Sequence, residues 1–245
     1  MYRNMVVNID PGTLLILIGL PALYLVFFGY GFQSLASASS GTSYLSYLAP
    51  GIMGFQSVMA GTVGGGLLWA DRRWGMLAQL LVGPFTRLEY LLGIMFTSVI
   101  FGLAGAFVMM LGAYALLGGF HLTAYGVFVM YGTILLGSIF FGSLMLFISA
   151  LVKSNNAYNS IQILVLFVVN FASTVFYPFS SSLPLPIQIL FRINPLTYIA
   201  DAVRGGFLGT LSAFDVEELG ILAVETLVFL FLATRAYMRS NVSYE

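Results

Sequence analysis

The sequence contains no cysteine and a single histidine among its 245 residues. Without thiols there can be no disulfide, iron–sulfur cluster or thiolate chemistry. The histidine, His121, has no partner at metal-ligand spacing, so we expect a solvated loop residue and no metal site. Charged residues are also scarce, at 7% against about a quarter in soluble domains. This composition excludes a large soluble domain and predicts a polytopic membrane protein.

Catalytic and nucleotide-binding motifs are missing as well. The sequence has no HExxH or GxSxG motif, and its acidic residues are not paired within apolar segments. It has no GxxxxGK[ST] loop, so we do not expect this chain to hydrolyse ATP. Nine basic and nine acidic residues cancel, so the net charge gives no indication of a nucleic-acid or acidic partner. We expect no nucleic-acid partner. We therefore predict no catalytic activity in this chain.

Long apolar runs make up most of the sequence and predict one all-α membrane domain, residues 1–245. A helix needs about 20 apolar residues to cross a bilayer. Six runs are long enough to be transmembrane helices, at residues 14–32, 47–69, 90–117, 124–152, 159–176 and 219–238. Gly61 and Gly65 have the GxxxG spacing that allows close helix packing. Asp215 and Glu218 have capping-box spacing and are expected to start the last helix.

The distribution of lysine and arginine predicts the orientation of these helices. Short cytoplasmic loops carry an excess of basic residues. One side of the predicted topology carries Arg3, Arg72, Arg73, Arg87, Lys153, Arg235 and Arg239. The other side carries only Arg192 and Arg204. We therefore expect both termini in the cytoplasm.

Between the second and third runs lies a charged, amphipathic stretch, residues 70–88. Trp74, Leu77, Ala78 and Leu81 follow the i, i+3, i+4, i+7 spacing of one helix face, and Pro84 ends the helix. Two interpretations fit this pattern. The stretch either contacts a soluble partner or is an interfacial helix that anchors two spans.

A second distinctive stretch, residues 178–209, precedes the last run. Three prolines, among them Pro178 and Pro184, exclude a straight helix at its start. Asn194 followed by Pro195 is typical of a helix N-terminus. Asp201 and Arg204 are three residues apart on that helix and are expected to form an ion pair.

These two stretches together resemble the ABC-2 type transporter permeases, the membrane subunits of ATP-binding-cassette exporters. The first stretch reads Asp71-Arg72-Arg73-x-Gly75-x-Leu77-x-x-Leu80-Leu81-x-x-Pro84. The second reads Asn194-Pro195-Leu196-Thr197-Tyr198-x-x-Asp201-x-x-Arg204. Six spans in this order cover nearly the whole chain. The resemblance leans toward the drug-resistance and nodulation-factor branches and implies a prokaryotic inner (plasma) membrane.

The resemblance implies that the first stretch is a coupling helix, residues 71–84, resting on a separate ATPase subunit. The residues implied in this contact are Asp71, Arg72, Arg73, Trp74, Gly75, Leu77, Leu80, Leu81 and Pro84. It also implies a homodimer of permeases with two ATPase copies. ATP and Mg would be bound by the ATPase and not by this chain.

The resemblance further implies that the second stretch is a re-entrant pair of short helices, which we expect to form an outer gate. The implied gate residues are Pro178, Pro184, Asn194, Pro195, Tyr198, Asp201 and Arg204. The transported molecule would be an amphipathic small molecule, a lipid or a glycolipid, moved outward.

Several residues within the spans are candidates for a substrate path: Phe55, Met59, Asn170, Phe171, Phe176 and Glu225. Aromatic and methionine side chains at these positions also fit ordinary packing. Asn170 also fits an interhelical hydrogen bond. A carboxylate inside a span is costly, so Glu225 is expected either to pair with Arg192 or Arg204 or to face an aqueous vestibule.

The alternative function is a secondary transporter or channel that works without ATP. Such a protein is expected to have internal repeats or a charged pathway. The sequence has no convincing repeat, and only Glu225 is clearly charged within a span.

Overall fold

The computed structural model describes residues 11–32, 43–119 and 122–240, without the side chains of residues 213 and 214. Within these residues the chain forms nine helices and no strand. The helices are α1 (Pro11–Gly31), α2 (Tyr44–Arg73), α3 (Met76–Val82), α4 (Arg87–Leu117), α5 (Ala124–Leu151), α6 (Asn155–Phe171), α7 (Leu185–Ile193), α8 (Pro195–Leu208) and α9 (Ala213–Arg239). The all-helical class predicted from the sequence is confirmed for this part of the chain.

Three of these helices are long and apolar enough to cross a membrane. They are α1, α4 and α5, which match the first, third and fourth predicted spans. The other three predicted spans coincide with α2, α6 and α9. The 17 residues of α6 extend about 25 Å at 1.5 Å per residue. The fifth predicted span, residues 159–176, is therefore shifted along the chain, because α6 begins at Asn155 and ends at Phe171, and the chain turns before residue 176.

The first span contains a distortion next to a proline. Residues Leu15–Gly19 form a π-helical stretch within α1, and Pro21 follows it directly. Proline lacks a backbone N–H, and its ring clashes with the carbonyl group four residues earlier. The wider π-helical turn is a common way to accommodate such a break.

Helix starts are fixed by polar side chains at their N-caps. Asn194 caps α8 by accepting a hydrogen bond from the backbone N–H of Leu196 at 3.0 Å, which confirms the predicted helix start. The capping box of α9 pairs Ser212 with Asp215, not Asp215 with Glu218. The prediction for this helix was wrong because Ser212, three residues earlier, has the same spacing and the preferred hydroxyl.

The core of the bundle is built around α2, which packs against α1, α4, α5 and α8. Glycines make the closest of these contacts possible. A Cβ atom added at Gly61 would lie 2.6 Å from the carbonyl oxygen of Phe141 in α5. At Gly65 it would lie 2.7 Å from the Cβ atom of Met145 in the same helix. The predicted GxxxG contact is therefore a packing interface between α2 and α5.

The stretch before the last helix folds as an exposed loop followed by α7 and α8. Helix α8 is largely buried and packs against α2, α5 and α9. A Cβ atom at Gly54 of α2 would lie 3.1 Å from Ile199 of α8. This position holds α8 against the central helix.

Candidate functional site

The predicted coupling segment, residues 71–84, is not one helix. Helix α2 continues through Asp71 and Arg72 to end at Arg73, and α3 begins at Met76. Gly75 between them has a left-handed backbone with φ of 68°. Glycine adopts this conformation without the steric cost that a Cβ atom brings. The prediction that Trp74 and Leu77 share one helix face is therefore wrong.

Short helix α3 has one buried side and one exposed side. Leu77 is buried against the bundle core, and Leu80 and Leu81 are half-buried. Trp74 is 73% exposed and Val82 is 90% exposed. Other exposed side chains near α3 are those of Met76, Pro84 and Phe85. The segment therefore presents an apolar surface away from the bundle, as a protein-contact or membrane-interface surface does.

Three consecutive charged residues at the end of α2 occupy different environments. Arg72 is only 1% exposed, and its Nη1 atom donates a hydrogen bond to the backbone oxygen of Ser149 at 2.7 Å. Asp71 is buried and accepts a hydrogen bond from the Tyr90 hydroxyl at 2.6 Å. Arg73 is exposed, with its guanidinium group 5.3 Å from the centre of the Trp74 ring. Of the three charges, only Arg73 lies on the surface that carries Trp74.

At the other end of α2, a polar network surrounds Arg204. The Nη1 atom of Arg204 forms the predicted ion pair with Asp201, 2.5 Å from Oδ1. The same guanidinium group donates to the backbone oxygens of Thr174 at 2.9 Å and Tyr47 at 3.2 Å. The central carbon atom of this guanidinium group, Cζ, lies 3.8 Å from the centre of the Tyr47 ring. We call these four residues, Tyr47, Thr174, Asp201 and Arg204, the Arg204 network.

Hydrogen bonds from hydroxyl groups complete the Arg204 network. Thr174 donates its hydroxyl to Asp201 Oδ1 at 2.8 Å, and Tyr47 donates its hydroxyl to the Thr174 backbone oxygen at 2.6 Å. Burial raises the pKa of Asp201, whereas the charge of Arg204 and the hydrogen bonds lower it. The carboxylate therefore depends on Arg204 for its charged form. Together the network joins α2, the turn after α6 and α8.

The other predicted gate residues are divided between the helix junction and the loop. Asn194 donates both amide hydrogens, to the backbone oxygens of Val169 and Ala172, each at 2.7 Å. Tyr198 donates its hydroxyl to the backbone oxygen of Arg192. These contacts fix the junction at Pro195 between α7 and α8. Pro178 and Pro184, by contrast, lie in the exposed loop before α7.

Sequence reasoning did not identify Tyr47 and Thr174 as parts of this network. Their contacts cross 127 residues of sequence, and Arg204 reaches Tyr47 across 157. Neither residue belongs to a local motif. The nearest sequence signal for this network is the i, i+3 spacing of Tyr44 and Tyr47, whose rings lie 6.3 Å apart on one face of α2.

The residues predicted for a substrate path do not form one site. Phe55, Phe171 and Phe176 belong to a row of aromatic rings in which Tyr24 links Phe55 to Phe176. The successive centroid distances are 6.2 Å from Phe55 to Tyr24, 5.4 Å from Tyr24 to Phe176 and 5.5 Å from Phe176 to Phe171. Met59 lies one turn after Phe55 and is buried in the core. Tyr24 had not been identified from the sequence.

The two polar candidates for the substrate path, Asn170 and Glu225, are not part of this aromatic row. Asn170 is fully buried, and neither side-chain polar atom has a hydrogen-bond partner in the part of the chain that the structure describes. Glu225 lies on α9, which packs against α5 and α8. Its Oε2 atom is buried without a hydrogen-bond partner, and no described basic residue forms an ion pair with it. The predicted pairing of Glu225 with Arg192 or Arg204 is therefore not formed.

His121, predicted to be a solvated loop residue, lies outside the described residues.

The sequence matches the model of a known protein family. The family model described as ABC-2 type transporter matches residues 5–208. That range includes the 71–84 segment and all four residues of the Arg204 network. No curated protein matches the sequence.

Proposed function

This chain belongs to the ABC-2 type transporter family, a transport component without catalytic activity of its own, and on that premise we propose that it is the permease of an exporter. A separate ATP-binding-cassette ATPase, in two copies, supplies the energy and binds ATP and Mg. Two permease copies form a homodimer in a prokaryotic inner membrane. Helices α1, α2, α4, α5, α6 and α9 are the six spans, with both termini and the 71–84 segment in the cytoplasm.

The observation that carries this proposal is the position of α2 between two sites. One end bears Arg73 and Trp74 on an exposed apolar surface, and the other end bears Tyr47 in the Arg204 network. The 30 residues of α2 extend about 45 Å at 1.5 Å per residue. A displacement at the Trp74 surface is therefore passed along one helix to α8. Such a connection is what a permease needs if a cytoplasmic ATPase drives its opening.

The exposed surface of the 71–84 segment fits a protein partner in its composition. Tryptophan and arginine are enriched among the residues that dominate the binding energy of protein interfaces. Arg73 and Trp74 lie side by side there, whereas Leu77 anchors α3 to the bundle. We propose that Arg73, Trp74, Val82 and Pro84 contact the ATPase, while Asp71 and Arg72 hold the segment in place.

The Arg204 network is the proposed outer gate. Helix α8 is buried among α2, α5 and α9, so a movement of α2 changes the packing of α8 directly. The exposed loop around Pro178 and Pro184 connects the turn that contains Thr174 to α7 and is part of this proposed gate. The transported molecule is an amphipathic small molecule, a lipid or a glycolipid, in keeping with the drug-resistance and nodulation-factor branches. The aromatic row from Phe55 to Phe171 offers such a molecule an apolar surface.

Site-specific cross-linking tests the proposed ATPase contact. Because the sequence has no cysteine, Trp74→Cys introduces the only thiol of the chain. We expect this variant to cross-link to the co-expressed ATPase through a short reagent with a maleimide at one end, which reacts with the thiol, and a succinimidyl ester at the other, which reacts with lysine amines of the ATPase. Leu185→Cys is the control, since Leu185 is equally exposed but lies on α7 beside the Arg204 network end. Cross-linking from Leu185→Cys and none from Trp74→Cys would refute the proposed contact and the orientation together.

A further inference from the structure

A basic pocket lies at the end of the bundle where α2 ends, between the last turns of α5 and α9. Its volume is about 500 Å³. Four basic side chains line it, those of Arg72, Lys153, Arg235 and Arg239. No acidic side chain of the described residues does so. A pocket lined only by cations on its charged side favours an anionic ligand.

Three of the four cations of this pocket are available to a ligand. Lys153, Arg235 and Arg239 are exposed, and none forms an ion pair or hydrogen bond with another described residue. Arg72 is fixed at the back of the pocket by its hydrogen bond to the Ser149 backbone oxygen. Three adaptable cations around one fixed cation suit a phosphate group, whose oxygens accept several charge-assisted hydrogen bonds.

Apart from Ser240, the rest of the pocket lining is apolar. Phe147 of α5 and Leu232 of α9 line it next to the basic side chains. Leu151, which also lines the pocket, is exposed at the surface of the bundle. Helix α5 is long and apolar enough to cross the membrane, so its end lies near the membrane–water boundary. The ligand therefore needs both an anionic group and an apolar tail.

We infer that this pocket binds an anionic phospholipid, with its phosphate among the four cations and its acyl chains along Phe147 and Leu232. Basic pockets between membrane helices bind anionic lipid headgroups in this way. Binding by this pocket does not depend on the ATPase contact. The proposed orientation places the pocket in the inner leaflet, and this placement is the only part of the inference that rests on the proposed function. A lipid there would join α5 to α9 beside Arg72, at the base of the 71–84 segment.

Native mass spectrometry of the purified chain tests this inference. Detergent-solubilised protein is titrated with phosphatidylglycerol, and with phosphatidylcholine as the zwitterionic comparison. We expect the wild type to retain phosphatidylglycerol preferentially. The affinity of the variant Arg235→Gln/Arg239→Gln for phosphatidylglycerol should fall by about tenfold or more, since each basic residue near an anionic headgroup contributes to the binding free energy.

The matched control removes the same charge elsewhere on the surface. Arg73→Gln/Arg192→Gln also loses two exposed arginines, neither of which lines the pocket. We expect this control to bind phosphatidylglycerol like the wild type. Equal loss in both double variants would overturn the site, because it would indicate attraction by net charge alone. Unchanged binding in the pocket variant would overturn it as well.

Competition with inorganic phosphate separates a lipid from a soluble anion. We expect millimolar phosphate to leave bound phosphatidylglycerol in place, because phosphate lacks the apolar contacts. Complete displacement would contradict the lipid assignment. If the double variant fails to fold, Lys153→Gln tests the pocket through an exposed loop residue. A chain that binds the ATPase but shows no preference for phosphatidylglycerol would contradict only this inference. A chain that prefers phosphatidylglycerol but binds no ATPase would contradict only the proposed function.

Discussion

At the residue scale, Arg72 and Arg73 are neighbours with opposite surroundings. Arg72 is enclosed and hydrogen-bonded to the end of α5, whereas Arg73 is exposed beside Trp74. Substituting both together would combine a folding defect with a docking defect. Because the two side chains differ in burial, substituting each arginine alone separates the two effects.

We predict that Arg72→Gln destabilises the chain by about 2 kcal/mol, since hydrogen bonds to charged groups contribute about 1.5–3 kcal/mol. Arg73→Gln should leave the thermal unfolding temperature nearly unchanged because exposed substitutions have small effects. Intrinsic fluorescence during thermal unfolding in detergent measures both. Equal losses of stability in the two variants would contradict the different burial of these arginines.

The Arg204 network leads to a second prediction. Arg204→Gln leaves the Asp201 carboxylate partly buried without its cation, so we expect a loss of about 2 kcal/mol. Adding Asp201→Asn to that variant should recover part of the loss, since an amide needs no counter-charge. A double-mutant cycle on unfolding temperatures measures this coupling. Strictly additive losses would show that the ion pair contributes nothing to stability.

Sequence patterns predicted the short-range part of these sites. The ion pair of Asp201 with Arg204 and the cap at Asn194 depend on spacings of three residues or fewer, which are visible in a sequence. The burial of Arg72 depends on a carbonyl group 77 residues away, and the role of Thr174 depends on Arg204, 30 residues away. Such contacts follow from the packing of whole helices, which spacing alone does not determine.

At the element scale, the contact between α2 and α5 sets how closely the two helices approach. Helical periodicity predicted α2, and the glycine spacing predicted its close contact. The end of α2 was not predicted, because the apolar spacing continues past Gly75 although its backbone turns left-handed. The last helix start was also missed, since two capping-box patterns overlap at Asp215.

We predict that Gly61→Ala destabilises the bundle by about 1–3 kcal/mol, the usual cost of overpacking. The added Cβ atom would lie 2.6 Å from the backbone oxygen of Phe141, which cannot move without displacing α5. Gly66→Ala is the control in the same helix, because its Cβ atom would meet no heavy atom within 4 Å. Alanine should be tolerated or slightly stabilising there, given its higher helix propensity. Matching unfolding temperatures for the two variants would rule out a tight contact at Gly61.

At the scale of the whole molecule, one helix joins a surface fit for a partner to a polar network at the opposite end. The 71–84 segment and the Arg204 network share no residue, and α2 connects them directly. Family membership identifies the chain as a transport component. The coupling through α2 that we propose would let a separate ATPase drive a chain that has no ATP-binding loop of its own.

The most direct test of this account is the rate of ATP hydrolysis by the chain co-purified with a candidate partner ATPase and reconstituted in liposomes. We predict a stable complex in which Arg73→Glu lowers permease-dependent hydrolysis by about tenfold, since the loss of one interface arginine often costs more than 1.4 kcal/mol. Arg192→Glu, a charge reversal on α7, should leave that rate unchanged. A chain that binds no ATPase, yet moves an amphipathic fluorescent dye across liposomes without ATP, would contradict the account and favour a secondary transporter.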